Sequence, residues 1–452
     1  MRYSVRTPPL WATALAVLLG VVMTMLDTTI VNVALDTLAR EFRTSLATMQ
    51  WAVTGYLLAL SMTVPVTGWA VGRFGGRKVW LVSLVLFVAG SALSAAAWSV
   101  VSLVAFRAVQ GLGGGLLLPV GQMMLAQAAG RERMGRAMAL ISVPAMLVPV
   151  LGPPLGGLIV EGPGWRWLFL VNVPVCVVAL VAAYTLLPGG PGASPRRLDV
   201  PGLALLSPGL AAMVYGLSEI GNGASLPHPA LWIGLALVAW FVVRALRTSG
   251  ALLDLRLFGN RTFASAVTAL ACYSAAMFGF TVLVPLYSQL AQGGNALDAG
   301  LLLAPMGIGA AITMPIGGRL SDARGPRGVA AAGVVVAVAG IAGFAAFGGP
   351  VPMFVLGLGH GLVSTSVMAA AFRTLEPAAI PAATTLSTIA ARLATPFGVA
   401  VLAVLLQVFT RMGVDQPFLY AFGVATVLAA GSLAPIALMG SAPRNASPSA
   451  PA

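Results

Sequence analysis

Charge is what this chain has least of. Asp, Glu, Lys and Arg together make up 8% of its 452 residues, and 12 residues are acidic. A water-soluble domain carries about 25% charged residues. A surface this poor in ions cannot face water, which excludes a soluble fold. Cysteine and histidine are equally scarce, with two of each. Cys176 and Cys272 lie far apart in apolar segments. They read as small core residues, since two isolated thiols make neither a disulfide framework nor a metal cluster. His228 and His360 are too few for a metal site. His360, within Gly357-Leu358-Gly359-His360-Gly361, reads first as a helix-packing residue and second as a proton carrier. The G-x-x-x-x-G-K-[ST] phosphate loop is missing, which excludes ATP hydrolysis by this chain. Without a His/Glu metal motif or a nucleophile–base pair, the chain does not read as an enzyme, and neither a cofactor nor a metal is expected.

What is present is apolar. Hydrophobic residues make up 59% of the chain, in runs near the roughly 20 residues a helix needs to cross a hydrocarbon core of about 30 Å. They lack the period-2 alternation of an outer-membrane barrel strand. The chain therefore reads as an all-α polytopic membrane protein. Fourteen spans are predicted, at 11–35, 47–71, 79–98, 100–128, 137–160, 167–187, 201–219, 229–247, 262–290, 297–319, 328–347, 350–372, 382–409 and 417–439. The first follows Arg2 and Arg6, but it is too long for a signal peptide and no small-residue cleavage site follows Thr29. The hydrophilic stretches 188–200, 248–261 and 440–452 read as linkers and a tail.

An even number of spans places both termini on one side. The loops on that side hold nineteen Lys and Arg, against Arg40, Arg43, Arg166 and Arg411 opposite. This bias predicts cytoplasmic termini and a multi-pass protein of a bacterial-type inner membrane. Orientation and contact with anionic lipid account for the net charge of +13. Nucleic acid is not an expected partner, because no soluble basic domain exists to bind it.

Two basic loops repeat 250 residues apart. Gly68-Trp69-Ala70-Val71-Gly72-Arg73-Phe74-Gly75-Gly76-Arg77-Lys78 aligns without a gap on Gly318-Arg319-Leu320-Ser321-Asp322-Ala323-Arg324-Gly325-Pro326-Arg327-Gly328. A repeated loop in a repeated helical context implies two homologous halves, an architecture many secondary transporters use around a midplane site.

Three charges stand out well inside spans: Asp27, Arg107 and Arg392. An ion in hydrocarbon is costly and marks a functional hypothesis. Counting 1.5 Å per residue puts Asp27 roughly 13 Å and Arg107 roughly 10 Å below the outer surface, on one level. Burial favours a protonated carboxylate and a nearby guanidinium favours an ionised one, so such a pair suits loading and release of a proton. A fixed structural ion pair is the alternative. Arg392, in the inner half of its span, has room to snorkel to the cytoplasmic surface, and a structural role is expected for it. Arg107, Gln110, Gly111 and Gly114 share one helical face, at i, i+3, i+4 and i+7. Gln110, Gly111 and Gly114, with Asn32, are candidate cavity residues. Span five carries Pro144 and then Pro149, Gly152, Pro153, Pro154, Gly156 and Gly157. Prolines bend a helix, and both a moving gate and a static kink fit.

Together these segments resemble the major facilitator superfamily, specifically its 14-spanner drug:proton antiporters. Leu26 to Leu35 resembles that family's first-helix signature, Gly68 to Lys78 its basic loop, Arg107 to Gly114 its fourth-helix motif, and Gly152 to Gly157 its antiporter motif. Trp165 to Pro174 and Leu252 to Phe258 are also similar to segments of the 14-spanner branch. The resemblance implies a six-helix bundle at 1–187, linkers and two inserted helices at 188–261, a second bundle at 262–439 and a cytoplasmic tail at 440–452. It implies proton coupling through Asp27 and Arg107, a helix bend at Pro149, Gly152, Pro153, Gly156 and Gly157, and gating loops. Those loops hold Gly68, Gly72, Arg73, Gly75, Arg77 and Lys78 in the first half, and Gly318, Asp322, Arg324, Gly325 and Arg327 in the second. One departure stands out. The family's loop carries an aspartate where this chain has Gly72, whereas the second copy keeps it as Asp322. The implied activity is proton-driven efflux of hydrophobic or amphipathic small molecules by a monomeric transport unit, with protons, the bilayer, a small-molecule substrate and a periplasmic adaptor as partners. Export of one specific metabolite or siderophore, and a transport-inactive scaffold or sensor, are the alternatives.

The basic bias makes the topology testable. Reporters fused at Gly192 and Arg444 should both be active only in the cytoplasm, and a periplasmic signal at either would overturn the orientation.

Overall fold

In the computed structural model, residues 10–130, 132–187, 197–221, 228–248, 251–293 and 296–440 are described. Arg2, Arg6, Arg131, Arg196, Arg444, most of the first linker and the tail beyond Gly440 lie outside the described residues, as do the side chains of Pro144, Pro149, Pro153 and Pro154. Every described element is helical, and no strand occurs among the described residues.

Each predicted span coincides with a helix. They are α1 Leu10–Val33, α2 Trp51–Phe74, α3 Gly76–Ala95, α4 Val100–Ala129, α5 Met134–Glu161, α6 Trp167–Leu186, α7 Val200–Gly221, α8 Pro229–Arg247, α9 Arg261–Leu286, α10 Ala296–Arg324, α11 Pro326–Phe347, α12 Pro350–Arg373, α13 Ile380–Arg411 and α14 Pro417–Leu438. Among the described residues, thirteen are long and apolar enough to cross a bilayer. The other, α5, is a continuous helix of 28 residues running through the proline-rich segment. The chain is thus a multi-pass membrane protein. One break within a span falls at a proline: α2 narrows to a 3-10 turn at Val64–Val66, around Pro65, which has no N–H to donate.

Helix packing repeats. In the first half α1 packs on α4, α5 and α6, while α4 packs on α2 and α3. In the second half α9 packs on α12, α13 and α14, while α12 packs on α10 and α11. Glycines set the same close approaches in both. A Cβ on Gly113 would come within 2.6 Å of the Ser83 carbonyl oxygen, and one on Gly359 within 2.6 Å of that of Gly333. Gly111 likewise faces the Tyr56 carbonyl as Gly357 faces that of Met306, and Gly115 faces Leu60 as Gly361 faces Ala310. Small residues let membrane helices approach backbone to backbone, where dispersion replaces the missing hydrophobic drive.

Helices α7 and α8 pack on each other, and α7 also touches α2 and α13. Asp199, just before α7, ties this pair to the following linker. It accepts from Arg244 Nη1 at 2.7 Å and from the N–H groups of Gly202 and Leu252, each at 3.0 Å. Burial opposes its ionisation, but the Arg244 bond and the two backbone donors outweigh burial and hold its carboxyl below the usual range. This tie stabilises the fold at neutral pH and is lost as pH falls through the lowered pKa.

Gly113→Val and Gly359→Val should each lower thermal stability by about 1–3 kcal/mol or more, the range for overpacking a tight interface. Thermal-shift fluorescence checks this, and Gly423→Val, at a position with no atom within 4 Å of an added Cβ, is the silent control.

Candidate functional site

The first-half bundle encloses a polar cluster with no water-exposed surface. Asp27 on α1, Ser91 on α3, Arg107 and Gln110 on α4, and Asn172 on α6 are all 0% exposed. Arg107 Nη1 reaches Asp27 Oδ2 at 2.5 Å and Gln110 Oε1 at 2.7 Å, while its Nε donates to the Ala52 carbonyl at 3.2 Å. Gln110 Nε2 and Asn172 Nδ2 both donate to Asp27 Oδ1, at 2.8 and 3.0 Å. Asn172 Nδ2 also meets Ser91 Oγ at 2.9 Å, and Ser91 in turn donates to the Phe169 carbonyl at 2.8 Å. The Arg107 guanidinium lies 4.2 Å above the centre of the Tyr56 ring, a contact that adds cation–π attraction when desolvated.

The structure therefore brings together Asp27, Arg107 and Gln110. It also recruits Asn172, Ser91 and Tyr56, for which residue type and spacing gave no role. The only signal was that Asn172 sits within the Trp165 to Pro174 segment. The four candidate cavity residues separate. Gln110 belongs to the ion cluster and Gly111 packs on the Tyr56 backbone. Gly114 leaves room for the Tyr56 hydroxyl, which a Cβ there would approach to 2.8 Å. Asn32 is exposed and donates to the Thr28 carbonyl at 3.0 Å. Gly152 and Gly156 face Thr29 and Ile30 of α1, while Gly157 faces open space.

The cluster is not duplicated. The glycine contacts pair Gly111 with Gly357, so Arg107 and Gln110 correspond to Met353 and Leu356, both buried and apolar. Gly114 corresponds to His360. That imidazole stacks on Tyr273 at 5.7 Å and meets Ser364 Oγ at 3.1 Å. Cys176 is buried as expected, but Cys272 is exposed on α9; the apolar lipid around a membrane helix makes burial unnecessary for a thiol.

The two halves meet at the end that carries the basic loops. There Asp322, in the last turns of α10, accepts from the N–H of Gly135 at 2.8 Å and of Arg136 at 3.3 Å. It thus caps the N-terminus of α5, in the opposite half, with the Arg136 guanidinium 3.9 Å away. Carboxylates are favoured at that helix end by the free N–H groups and the dipole. The first loop packs on α13 in the same way. A Cβ on Gly68 would approach the Pro381 carbonyl oxygen to 3.2 Å, as one on Gly318 approaches that of Gly135 to 2.6 Å. The first contact, however, lacks both halves of the cap: Gly72 stands where Asp322 does, and Pro381, with no N–H, stands where Gly135 does. Gly75 and Gly325 hold matching left-handed turns, at φ 85° and 88°, which only glycine adopts without strain. Arg77 donates to the Tyr184 carbonyl and Arg327 to that of Met439, each fastening a loop to the last helix of its half. Arg73, Lys78 and Arg324 are exposed.

The sequence pattern of the Major Facilitator Superfamily matches residues 17–399. The chain belongs to that superfamily of membrane transporters. A multidrug resistance protein B homolog of Mycobacterium tuberculosis is 38% identical over 409 residues, covering 87% of this chain and 76% of that protein. Solved structures share the fold. The human organic anion transporter MFSD10 aligns with a TM-score of 0.69 at 15% identity, over 96% of this chain and 100% of that one. The proton:xylose symporter XylE aligns at 0.62 and 15% identity, over 93% and 94%.

The Asp322 cap carries an accessibility prediction. In a background lacking Cys176 and Cys272, a cysteine replacing Thr385, which packs on Gly68, should react about 2–30-fold faster with an impermeant maleimide once Asp322→Ala removes the cap, given about 0.5–2 kcal/mol for a helix cap. Gly72→Asp should slow that reaction more when combined with Pro381→Ala, which restores the missing donor, than by itself.

Proposed function

We propose that this chain is a proton-coupled multidrug exporter of the inner membrane, with cytoplasmic termini, working by alternating access of two six-helix bundles, 1–187 and 262–439, around α7 and α8. The observation that carries the reading is the Asp27–Arg107 pair at 2.5 Å. Asp27 is the one carboxylate far from any helix end among the described residues. A coupled exporter needs a buried group that changes charge, and arginine cannot supply it because it stays protonated.

The geometry supports a sequence of events. A proton arriving at Asp27 Oδ2 neutralises the carboxylate and ends its charge-assisted bond to Arg107 Nη1. The guanidinium is then held by Gln110 Oε1 and the Ala52 carbonyl, beneath α2. Arg107 thereby converts the proton's presence into a shift of charge against Tyr56. Inward passage of that proton releases about 2.3 kcal/mol per 100 mV of membrane potential. Contacts between α5 and α10 and between α2 and α13 at the basic-loop end support an outward-facing resting state, closed toward the cytoplasm and held by Asp322. The relatedness to a multidrug resistance protein supports a broad range of small-molecule substrates over one specific metabolite, and the ionised cluster argues against a transport-inactive scaffold. Asp27 and Arg107 are the coupling residues in this reading, and the protein acts as a transporter without catalysing a chemical conversion.

Asp27→Asn should abolish ethidium efflux driven by a pH gradient in everted vesicles. Removing one partner of a buried pair costs about 3–5 kcal/mol, so the double variant Asp27→Asn/Arg107→Gln should recover thermal stability yet remain uncoupled. Gradient-driven efflux by Asp27→Asn at the wild-type rate would place coupling elsewhere.

A further inference from the structure

Among the described residues, the junction between the bundles holds a positive charge, Arg392, in no ion pair. By its place in the inner half of its span, Arg392 has room to snorkel to the near surface, with a structural role expected for it. Instead its Nε is enclosed and has no hydrogen-bond partner. Its position explains this: Thr385, two helical turns earlier, packs against Gly68 of α2, so the stripe of α13 that holds Arg392 faces the first-half bundle. None of the ion pairs among the described residues includes Arg392. The residue within electrostatic reach of it on α2 is Tyr56.

Tyr56 is itself incomplete. It is 0% exposed, and its hydroxyl is unpartnered, as is Nη2 of the Arg107 guanidinium lying over its ring. The charges acting on it are Asp27, Arg107 and Arg392. Asp27 is matched by Arg107, which leaves Arg392 unmatched. A guanidinium in a low-dielectric junction stays charged, since it does not release its proton at ordinary pH. An uncompensated ion there is costly, and three enclosed polar groups without partners add to that cost. All three can donate hydrogen bonds: two are guanidinium nitrogens and one is a phenol. A ligand suited to them must bring acceptor oxygens and negative charge.

We infer that Arg392 and Tyr56 form a subsite for the acidic group of a transported molecule, a carboxylate on an otherwise apolar body. A carboxylate matches the planar fork of a guanidinium with two parallel hydrogen bonds, and the remaining acceptor capacity meets the Tyr56 hydroxyl. A cationic molecule would meet repulsion at this position and gains nothing from it. This rests on the efflux reading for its transport role, but binding is separable from transport. The subsite lies between α2 and α13, helices of opposite halves. An acid held there bridges the two bundles while Asp27 and Arg107 stay paired beside it.

The test uses the purified full chain in a neutral detergent, with carboxyfluorescein as the anionic probe and ethidium as the cationic one, both followed by fluorescence anisotropy. Wild type should bind carboxyfluorescein, with displacement by benzoate. Arg392→Gln should weaken that binding about tenfold or more, the range for losing one charged hydrogen-bond partner, while ethidium binding is kept. Arg392→Lys should lose less, since it keeps the charge but not the fork. Tyr56→Phe, which keeps the ring under Arg107, should also weaken carboxyfluorescein binding. If Arg392→Gln fails to fold, the lysine and phenylalanine variants decide the matter. Absence of carboxyfluorescein binding by wild type, or equal loss of both probes in the variants, would overturn the subsite. Displacement by phosphatidylglycerol in preference to benzoate would also overturn it, by assigning the charge to a lipid phosphate. Failure of wild-type ethidium efflux, with anion binding intact, would count against the exporter reading and leave the subsite standing.

Discussion

The pairing of Asp27 with Arg107 inside the first bundle is the interaction on which much of this molecule depends. Hydrocarbon offers no water to either ion, so each must be satisfied by the protein. That demand brings Gln110, Asn172 and Ser91 into one network and draws four helices, α1, α3, α4 and α6, onto a common point. The glycines that follow Arg107 on α4 let α2 and α3 come close enough to seal it, with the Tyr56 backbone against Gly111 and the Ser83 backbone against Gly113. Tight packing and buried charge are thus two sides of one design on α4.

The second bundle keeps the packing and omits the Asp27–Arg107 pair. Its glycines make the matching contacts, but Met353 and Leu356 stand where Arg107 and Gln110 do. Duplicated helices therefore supply a shared scaffold, and the Asp27–Arg107 pair is confined to one copy. The contacts between halves show the same division in reverse. Asp322 of the second half caps α5 of the first, whereas the reciprocal contact has neither the carboxylate, at Gly72, nor a donor, at Pro381. Loss of one partner removes the reason to keep the other, since a lone carboxylate beside a proline lacks that N–H to receive and a lone donor lacks its cap.

Composition and run length alone determined that this is a helical membrane protein, and each of the fourteen predicted spans coincides with a helix, because the transfer of side chains into lipid is nearly additive along the chain and needs no knowledge of partners. The spacing of two basic loops disclosed the internal repeat, and helical rise placed Asp27 and Arg107 on one level. Tertiary structure decided what touches what. Asn172 and Ser91 join Asp27 from 145 and 64 residues away, Asp322 caps a helix of the other half, and the Nε of Arg392 is enclosed without a hydrogen-bond partner. These outcomes depend on how helices cross and rotate against one another. Hydrogen bonds form within about 3 Å and in fixed directions, so residue spacing on one helix can nominate a polar group but leaves its partner open until the helices are packed.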